Sequence, residues 1–145
     1  MVTDPCKTAI NIGKLLLSPT RTYAPIIKKI ISSNFNNISG IIHCTGGGQT
    51  KVLHFTDKLR IVKDNLFEIP EIFQIIHNDT DTTLKEMYEV FNMGHRMEIY
   101  CKPKVAEDII SISKSFNVDA KIIGKVEKSV KKSLIIESEE GIIEY

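Results

Sequence analysis

Apolar residues recur along the chain with two periods, and these predict alternating strands and helices. Short apolar or alternating runs predict strands at residues 13–17, 40–45, 59–63, 96–101, 120–127, 133–137 and 142–145. Helical spacing predicts helices after Thr22, over residues 49–55, 70–77 and 84–91, and after Pro103. The turn at Glu140-Gly141 joins the last two strands, so we expect the chain to close in a hairpin.

Residues that begin or end helices support these predictions. Thr22 is expected to cap the helix that follows it, and Pro25 fits the first turn of that helix. The segment Asp79-Thr80-Asp81 is expected to cap the helix over 84–91, and Gly94 is expected to end it. Strands that alternate with helices predict an α/β (α+β) fold in which helices pack on a sheet. The closing hairpin makes that sheet mixed rather than purely parallel.

Length and composition are those of one globular domain. The 145 residues are 42% hydrophobic and 26% charged. Residues 1–12 are polar and carry an Asp4-Pro5 turn signal, so we interpret them as a linker or N-terminal arm and residues 13–145 as the domain.

Charge and cysteine content narrow the class of partner. The net charge is +1, and the basic residues Lys128, Lys131 and Lys132 form only a small cluster, so we expect no nucleic-acid partner. The three cysteines are widely spaced, which predicts neither disulfides nor a metal site and indicates a reducing cytoplasm. No apolar run reaches the length of a membrane span, so no membrane association is expected.

The segment His43-Cys44-Thr45-Gly46-Gly47-Gly48 is the most informative for chemistry. Glycines directly after a strand allow positive φ and a close approach of backbone N–H groups to an anion such as phosphate, and a following helix start would add its dipole. Thr45 would add a hydroxyl. No Walker A motif is present, because Lys51 is displaced from the position that motif requires. A flexible turn is the alternative interpretation.

Two further side chains are candidates for the same chemistry. His43 lies in an apolar strand, where it is either a structural residue or a group that contacts phosphate or transfers a proton. Arg21 offers a bidentate fork for phosphate or carboxylate, or is simply a surface residue beside a helix start.

Separated segments together resemble one family, phosphoribosylformylglycinamidine cyclo-ligase, in its C-terminal domain. The segments are LLSPTRTY at 16–23, GIIHCTGGG at 40–48, IPEIF at 69–73 and EMYEVFNMG at 86–94. Their order and spacing match that family over roughly residues 13–127.

The resemblance implies a three-layer α/β/α domain of a homodimeric enzyme. That enzyme would use ATP and Mg²⁺ to convert formylglycinamidine ribonucleotide to aminoimidazole ribonucleotide in purine biosynthesis. Thr45, Gly46, Gly47 and Gly48 would bind substrate or phosphate, with His43, Arg21 and Asn92 in supporting positions. The nucleotide-binding motifs of the family's N-terminal half do not occur in this sequence. ATP and Mg²⁺ would therefore be bound mainly by that half, with which this domain would pair through an exposed apolar patch, and the chain alone would be inactive.

Other functions stay open at this point. Selenophosphate synthetase, thiamine-monophosphate kinase and a hydrogenase-maturation protein share the two-domain architecture that the resemblance implies. A non-catalytic module that binds a phosphorylated small molecule by itself is an alternative of a different class.

Overall fold

Helices and strands alternate along the chain in the computed structural model, which describes residues 12–17, 19, 21–138 and 140–145. The helices are α1 (Ile12–Leu16), α2 (Ala24–Asn34), α3 (Glu71–Asp79), α4 (Leu84–Val90) and α5 (Ala106–Lys114). The strands are β1 (Ile38–His43), β2 (Leu59–Lys63), β3 (Met97–Cys101), β4 (Gly124–Lys128), β5 (Ser133–Ser138) and β6 (Gly141–Glu144). Short 3₁₀ helices span Phe35–Asn37, Gly48–His54 and Pro103–Val105. The predicted α/β class is confirmed.

The strands of the described chain lie in two sheets rather than in the single sheet that the sequence suggests. A four-stranded sheet has the order β4-β2-β5-β6, and β1 pairs antiparallel with β3 in a two-stranded sheet. In the larger sheet β2 and β5 are parallel, with Ile61 opposite Leu134, whereas the outer pairs are antiparallel. The larger sheet is therefore mixed, as predicted, and β5 and β6 form the expected closing hairpin.

Two apolar clusters form the core. The first contains Ile42, Cys44, Val52, Ile61, Met87, Tyr88, Met93, Leu134 and Ile136. The second lies between α2 and α5 and contains Ile26, Ile30, Val105, Ile109 and Ile112. Cys44 and Val52 flank the glycine-rich segment, so burying these two side chains anchors that segment on both sides in the first cluster.

The N-terminal part of the described chain differs from its prediction. Residues 13–17 were expected to form a strand, but Ile12–Leu16 is a single short helix whose backbone continues with a bond from the Leu17 N–H to the Gly13 carbonyl at 3.0 Å. Leu16 and Leu17 are both exposed, so this apolar run is not a buried strand. The predicted arm falls on residues 1–11, which lie outside the described residues, and on Ile12, which begins α1.

Two helices begin with N-cap residues that differ from the predicted ones. Helix α2 has Tyr23 rather than Thr22 at its N-cap, without a side-chain cap bond, although Pro25 is in the first turn as expected. The cap of α4 is Thr83 rather than the segment 79–81. Thr83 and Glu86 form a capping box, in which each side chain bonds the other residue's backbone N–H.

Candidate functional site

The glycine-rich segment leaves β1 as an exposed loop. Strand β1 ends at His43, the Cys44 N–H still bonds the Arg96 carbonyl at 2.9 Å, and the Thr45 N–H turns back to the His43 carbonyl at 2.8 Å. Gly47 and Gly48 have φ values of 89° and 46°, the left-handed region in which glycine is favoured. The predicted use of positive φ by these glycines is confirmed.

The loop presents backbone donors to solvent at one end only. Among the residues that the structure describes, the N–H groups of Gly46, Gly47 and Gly48 donate to no protein acceptor. Gly46 is exposed and Gly47 half-buried, whereas Gly48 is buried. A Cβ on Gly48 would collide with the carbonyl oxygens of Tyr88 and Phe91, so this glycine is needed for close packing against the end of α4. The accessible donors are therefore those of Gly46 and Gly47.

The helix that follows is not the dipole source that the sequence suggests. Gly48–His54 is a 3₁₀ helix of 7 residues, and short 3₁₀ segments align few peptide dipoles. A positive charge near the loop would have to come from a side chain instead.

Lys51 supplies that charge, and sequence reasoning did not assign it to the site. Its Nζ donates to the Thr45 Oγ1 and to the His43 carbonyl, each at 3.0 Å. The 3₁₀ turn also packs the Lys51 side chain beside Gly47. The ammonium group thus lies beside the exposed part of the loop. A lysine placed three residues after a glycine run, within a short helix, is the signal that could have identified it.

His43 is exposed at the end of β1 and has an aromatic neighbour. Its ring centroid lies 6.4 Å from that of Tyr23, edge to face. Tyr23 is the N-cap of α2, so the segment that precedes α2 comes close to the loop through Tyr23.

The structure places Arg21 and Asn92 differently with respect to the loop. The Arg21 guanidinium donates to the Asn117 carbonyl at 2.8 Å, and in the described chain no hydrogen bond joins it to residues 43–48. The Asn92 Oδ1 accepts from the Gly94 N–H at 2.9 Å, and its carbonyl accepts from the Gln49 Nε2 at 2.6 Å. Asn92 therefore contacts the residue that follows the glycines, through its backbone.

A buried ion pair lies beneath the loop. Lys63 on β2 and Glu98 on β3 are joined at 2.5 Å, and their side chains are 2% and 3% exposed. The Lys63 Nζ also donates to the Gln49 carbonyl at 3.1 Å and to its Oε1 at 2.8 Å, and the Tyr100 hydroxyl donates to Glu98 at 2.6 Å. Burial, and then the Glu98 charge, raise the pKa of Cys44 to about 12 and raise the pKa of Tyr100 above its ordinary value. Both groups are therefore neutral at pH 7.

A cleft of about 570 Å³ lies between α2, α5 and strands β2, β3 and β4. Apolar side chains such as Ile26 and Ile109 dominate its wall, and Lys63 and Glu98 reach it only where they are already paired with each other. No residue of the segment 43–48 lines it. The glycine-rich loop thus lies outside this cleft.

The described residues bring together no group of three His, Cys, Asp or Glu side chains that could hold a metal ion. Likewise, none of the helices in the described ranges is both long enough and apolar enough to cross a bilayer.

A mixed α/β domain with a glycine-rich loop behind a strand is the class of protein that these observations define. The chain belongs to the family described as AIR synthase related protein, C-terminal domain, whose family model matches residues 3–137.

Curated relatives carry the name phosphoribosylformylglycinamidine cyclo-ligase. The chain is 36% identical over 119 residues to that of Methanopyrus kandleri, which covers 81% of this chain and 33% of the relative. It is 34% identical over 135 residues to that of Methanococcus maripaludis, covering 93% of this chain and 38% of the relative. It is 35% identical over 128 residues to that of Syntrophus aciditrophicus, covering 82% of this chain and 35% of the relative. The chain thus spans between a third and two fifths of the length of these relatives.

A solved structure shares the fold. The crystal structure of HypE, a hydrogenase maturation protein of E. coli, matches with a TM-score of 0.58 over 85% of this chain and 37% of that chain. The identity is 16%, so this likeness concerns the fold alone. The family resemblance given by the sequence segments is confirmed, as is the α/β class.

Proposed function

We propose that this chain is the substrate-phosphate-binding domain of a phosphoribosylformylglycinamidine cyclo-ligase. The complete enzyme would convert formylglycinamidine ribonucleotide to aminoimidazole ribonucleotide at the expense of ATP. Membership of the family and the names of the relatives support the reaction. The geometry of the loop supports the part that this chain takes in it.

The observation that carries the proposal is that backbone N–H groups without protein acceptors lie close to a positively charged side chain. The N–H groups of Gly46 and Gly47 are left without protein acceptors in the described chain, and the Lys51 ammonium lies beside them on the Thr45 hydroxyl. Backbone donors that converge next to a positive charge attract an anion with several acceptor oxygens. The 5′-phosphate of the ribonucleotide substrate has this chemistry.

His43, Arg21 and Asn92 take lesser parts in this proposal. His43 is exposed next to Thr45, where an imidazole would contact the bound substrate or move a proton. Asn92 supports the loop through the bond that its carbonyl accepts from Gln49. Arg21 donates to the Asn117 carbonyl and forms no hydrogen bond to the loop in the described chain, so we rank it below Lys51.

ATP and Mg²⁺ are assigned to the part of the enzyme outside this chain. The assignment rests on the likeness to the longer relatives, of which this chain covers 33% and 38%. In the complete enzyme, phosphorylation of the substrate's amide oxygen would prepare its displacement by an internal nitrogen. The residues of this chain would bind and orient the substrate for that step. A homodimeric assembly and a cytoplasmic location also remain proposals for the complete protein.

The test is a titration of the isolated chain with inorganic phosphate, followed by ¹H–¹⁵N NMR. We expect the amide signals of Gly46 and Gly47 to shift progressively, and Lys51→Met to weaken binding by about tenfold, the effect of one lost charged hydrogen bond. Lys132→Met is the matched control, because the Lys132 Nζ also donates to a carbonyl of the 3₁₀ helix, that of Leu53, at 3.1 Å.

The same titration with formylglycinamidine ribonucleotide should reproduce the pattern of shifts at lower concentration. The proposal is wrong if phosphate moves no loop amide, or if Lys132→Met weakens binding as much as Lys51→Met does.

A further inference from the structure

The residues at both ends of the glycine-rich loop contact one buried ion pair. Gln49 follows the last glycine and is 1% exposed. Its carbonyl and its Oε1 both accept from the Lys63 Nζ, and its Nε2 donates to the Asn92 carbonyl. Because Gln49 is buried, water cannot replace these partners, and any movement of Gln49 would leave polar groups unpaired.

The N-terminal end of the loop, at Cys44, lies close to Glu98, the second residue of the ion pair. Glu98 lies opposite Ile42 in the two-stranded sheet, and Cys44 is two residues beyond Ile42 on the same buried face. The effect of the Glu98 charge on Cys44 agrees with this placement. The Lys63–Glu98 pair thus touches the residue before Thr45 and the residue after Gly48.

The donors and acceptors of this cluster leave little freedom. The Lys63 ammonium has three protons, and the three acceptors are Glu98 and the two oxygens of Gln49. Glu98 accepts from the Tyr100 hydroxyl on its other oxygen. A fully satisfied buried network of this kind holds its members in one arrangement.

We propose that the Lys63–Glu98 pair, acting through Gln49, is a positioning device that sets the backbone of Gly46–Gly48 for binding an anion. The proposal rests on the anion-binding function of the loop given above. Gly48 is pressed against the carbonyls of Tyr88 and Phe91 at the end of α4, and Gln49 is bound to the Asn92 carbonyl just beyond it. The loop is therefore held between α4 on one side and the ion pair on the other, and Gly46 and Gly47 project from that clamp.

A purely structural role for the ion pair makes a different prediction. Buried ion pairs are often no more stabilising than apolar side chains of the same volume, so stability alone does not require Lys63 at this place. What an apolar replacement would lose is the directed contact with both oxygens of Gln49. Suitable variants can therefore distinguish an effect on the conformation of the loop from an effect on the stability of the whole chain.

Gln49→Met is the decisive variant, since it keeps the volume and the Lys63–Glu98 pair but removes the side-chain contacts to Lys63 and Asn92. Tyr100→Phe is the matched control, because it removes one hydrogen bond from the same network without touching a loop residue. Both proteins are compared with the wild type by thermal unfolding, by the ¹H–¹⁵N spectrum without ligand, and by titration with inorganic phosphate.

We expect Gln49→Met to shift the amide signals of Gly46–Gly48 before any ligand is added and to weaken phosphate binding by about tenfold, the equivalent of one lost hydrogen bond. Tyr100→Phe should leave both the loop signals and the phosphate affinity at wild-type values, even if its melting temperature falls as much as that of Gln49→Met. Equal effects of the two variants, or unchanged loop signals in Gln49→Met, would overturn the positioning role.

The ligand-free spectra keep this result distinct from the proposed function. If the wild type itself does not bind phosphate, the proposed function fails. Shifted amide signals of Gly46–Gly48 in Gln49→Met, but not in Tyr100→Phe, would still support the positioning role of the ion pair. If the wild type binds phosphate and Gln49→Met binds it equally well, the function stands and the positioning role is rejected.

Discussion

At the scale of single residues, His95 makes stability depend on pH. It is 4% exposed, and its Nε2 accepts from the Phe67 N–H at 3.0 Å. Burial, and then the Lys63 charge, lower its pKa to about 4, although Glu98 opposes the shift. Between pH 6.5 and 4 the unfolded chain therefore binds a proton that the folded chain does not, so stability falls as the pH is lowered. The expected loss is about 3 kcal/mol by pH 4.

Urea unfolding at a series of pH values measures this dependence. His95→Gln should be less stable than the wild type at pH 7 but should lose less stability on acidification. His54→Gln, which changes an exposed histidine, should keep the wild-type slope. Parallel curves for the wild type and His95→Gln would contradict the assignment of the titration to His95.

The Lys63–Glu98 pair makes a second residue-scale prediction. Lys63→Met leaves the Glu98 carboxylate buried without its cation, so we expect the free energy of unfolding to fall by about 3 kcal/mol or more. Adding Glu98→Leu removes the stranded charge and should recover most of that loss. Denaturant unfolding of both variants provides the measurement, and a double variant no more stable than Lys63→Met would argue against a buried-charge cost.

At the scale of elements, the capping box determines where α4 begins. The Thr83 Oγ1 accepts from the Glu86 N–H, and the bonds from Thr83 lower the pKa of Glu86. Thr83→Ala should destabilise the chain by about 1 kcal/mol. Thr82→Ala is the control, because within the described residues the Thr82 hydroxyl accepts from the Thr80 hydroxyl and caps no helix. Equal losses in the two variants, measured by thermal unfolding, would show that the cap contributes nothing.

Most elements could be predicted because local pattern determines them. The interior strand β2, which carries Leu59, Ile61 and Val62, matches its predicted bounds, and the turn into β6 was marked by Gly141. Residues 13–17 were mistaken for a strand because a short apolar run has no readable period. The parallel pairing of β2 with β5 lay beyond prediction, since it joins segments about 70 residues apart and depends on tertiary packing.

At the scale of the whole molecule, the candidate site was predictable only where it is continuous in sequence. The run from Thr45 to Gly48 is visible as a motif, and in the structure its first two residues are exposed whereas Gly48 is buried. Lys51 was not assigned because its position depends on how a 3₁₀ turn folds back over Thr45. Lys63 and Glu98 could not be found at all, because 35 residues separate them and only the folded chain brings their side chains together.

Family membership and chain length together make the last prediction. The chain matches 38% of the length of the Methanococcus maripaludis relative. We therefore expect the purified chain to form no aminoimidazole ribonucleotide from ATP and substrate by itself. Adding the unmatched N-terminal portion of that relative, produced separately, should restore product formation, which an absorbance or mass-spectrometric assay would detect.

Lys51→Met should lower the restored rate while Lys132→Met does not, because of these two lysines only Lys51 lies beside the Gly46 and Gly47 N–H groups that lack protein acceptors.

Turnover by the isolated chain would mean that the nucleotide site lies within these 145 residues. If phosphate binds but no mixture of the two parts is active, a stand-alone module that binds phosphorylated molecules becomes the better description. Leu17, Phe35 and Val130 have exposed apolar side chains, and each is a candidate for the contact between the two parts. A loss of restored activity on changing one of them to a polar residue, with phosphate binding intact, would locate the contact between the two parts.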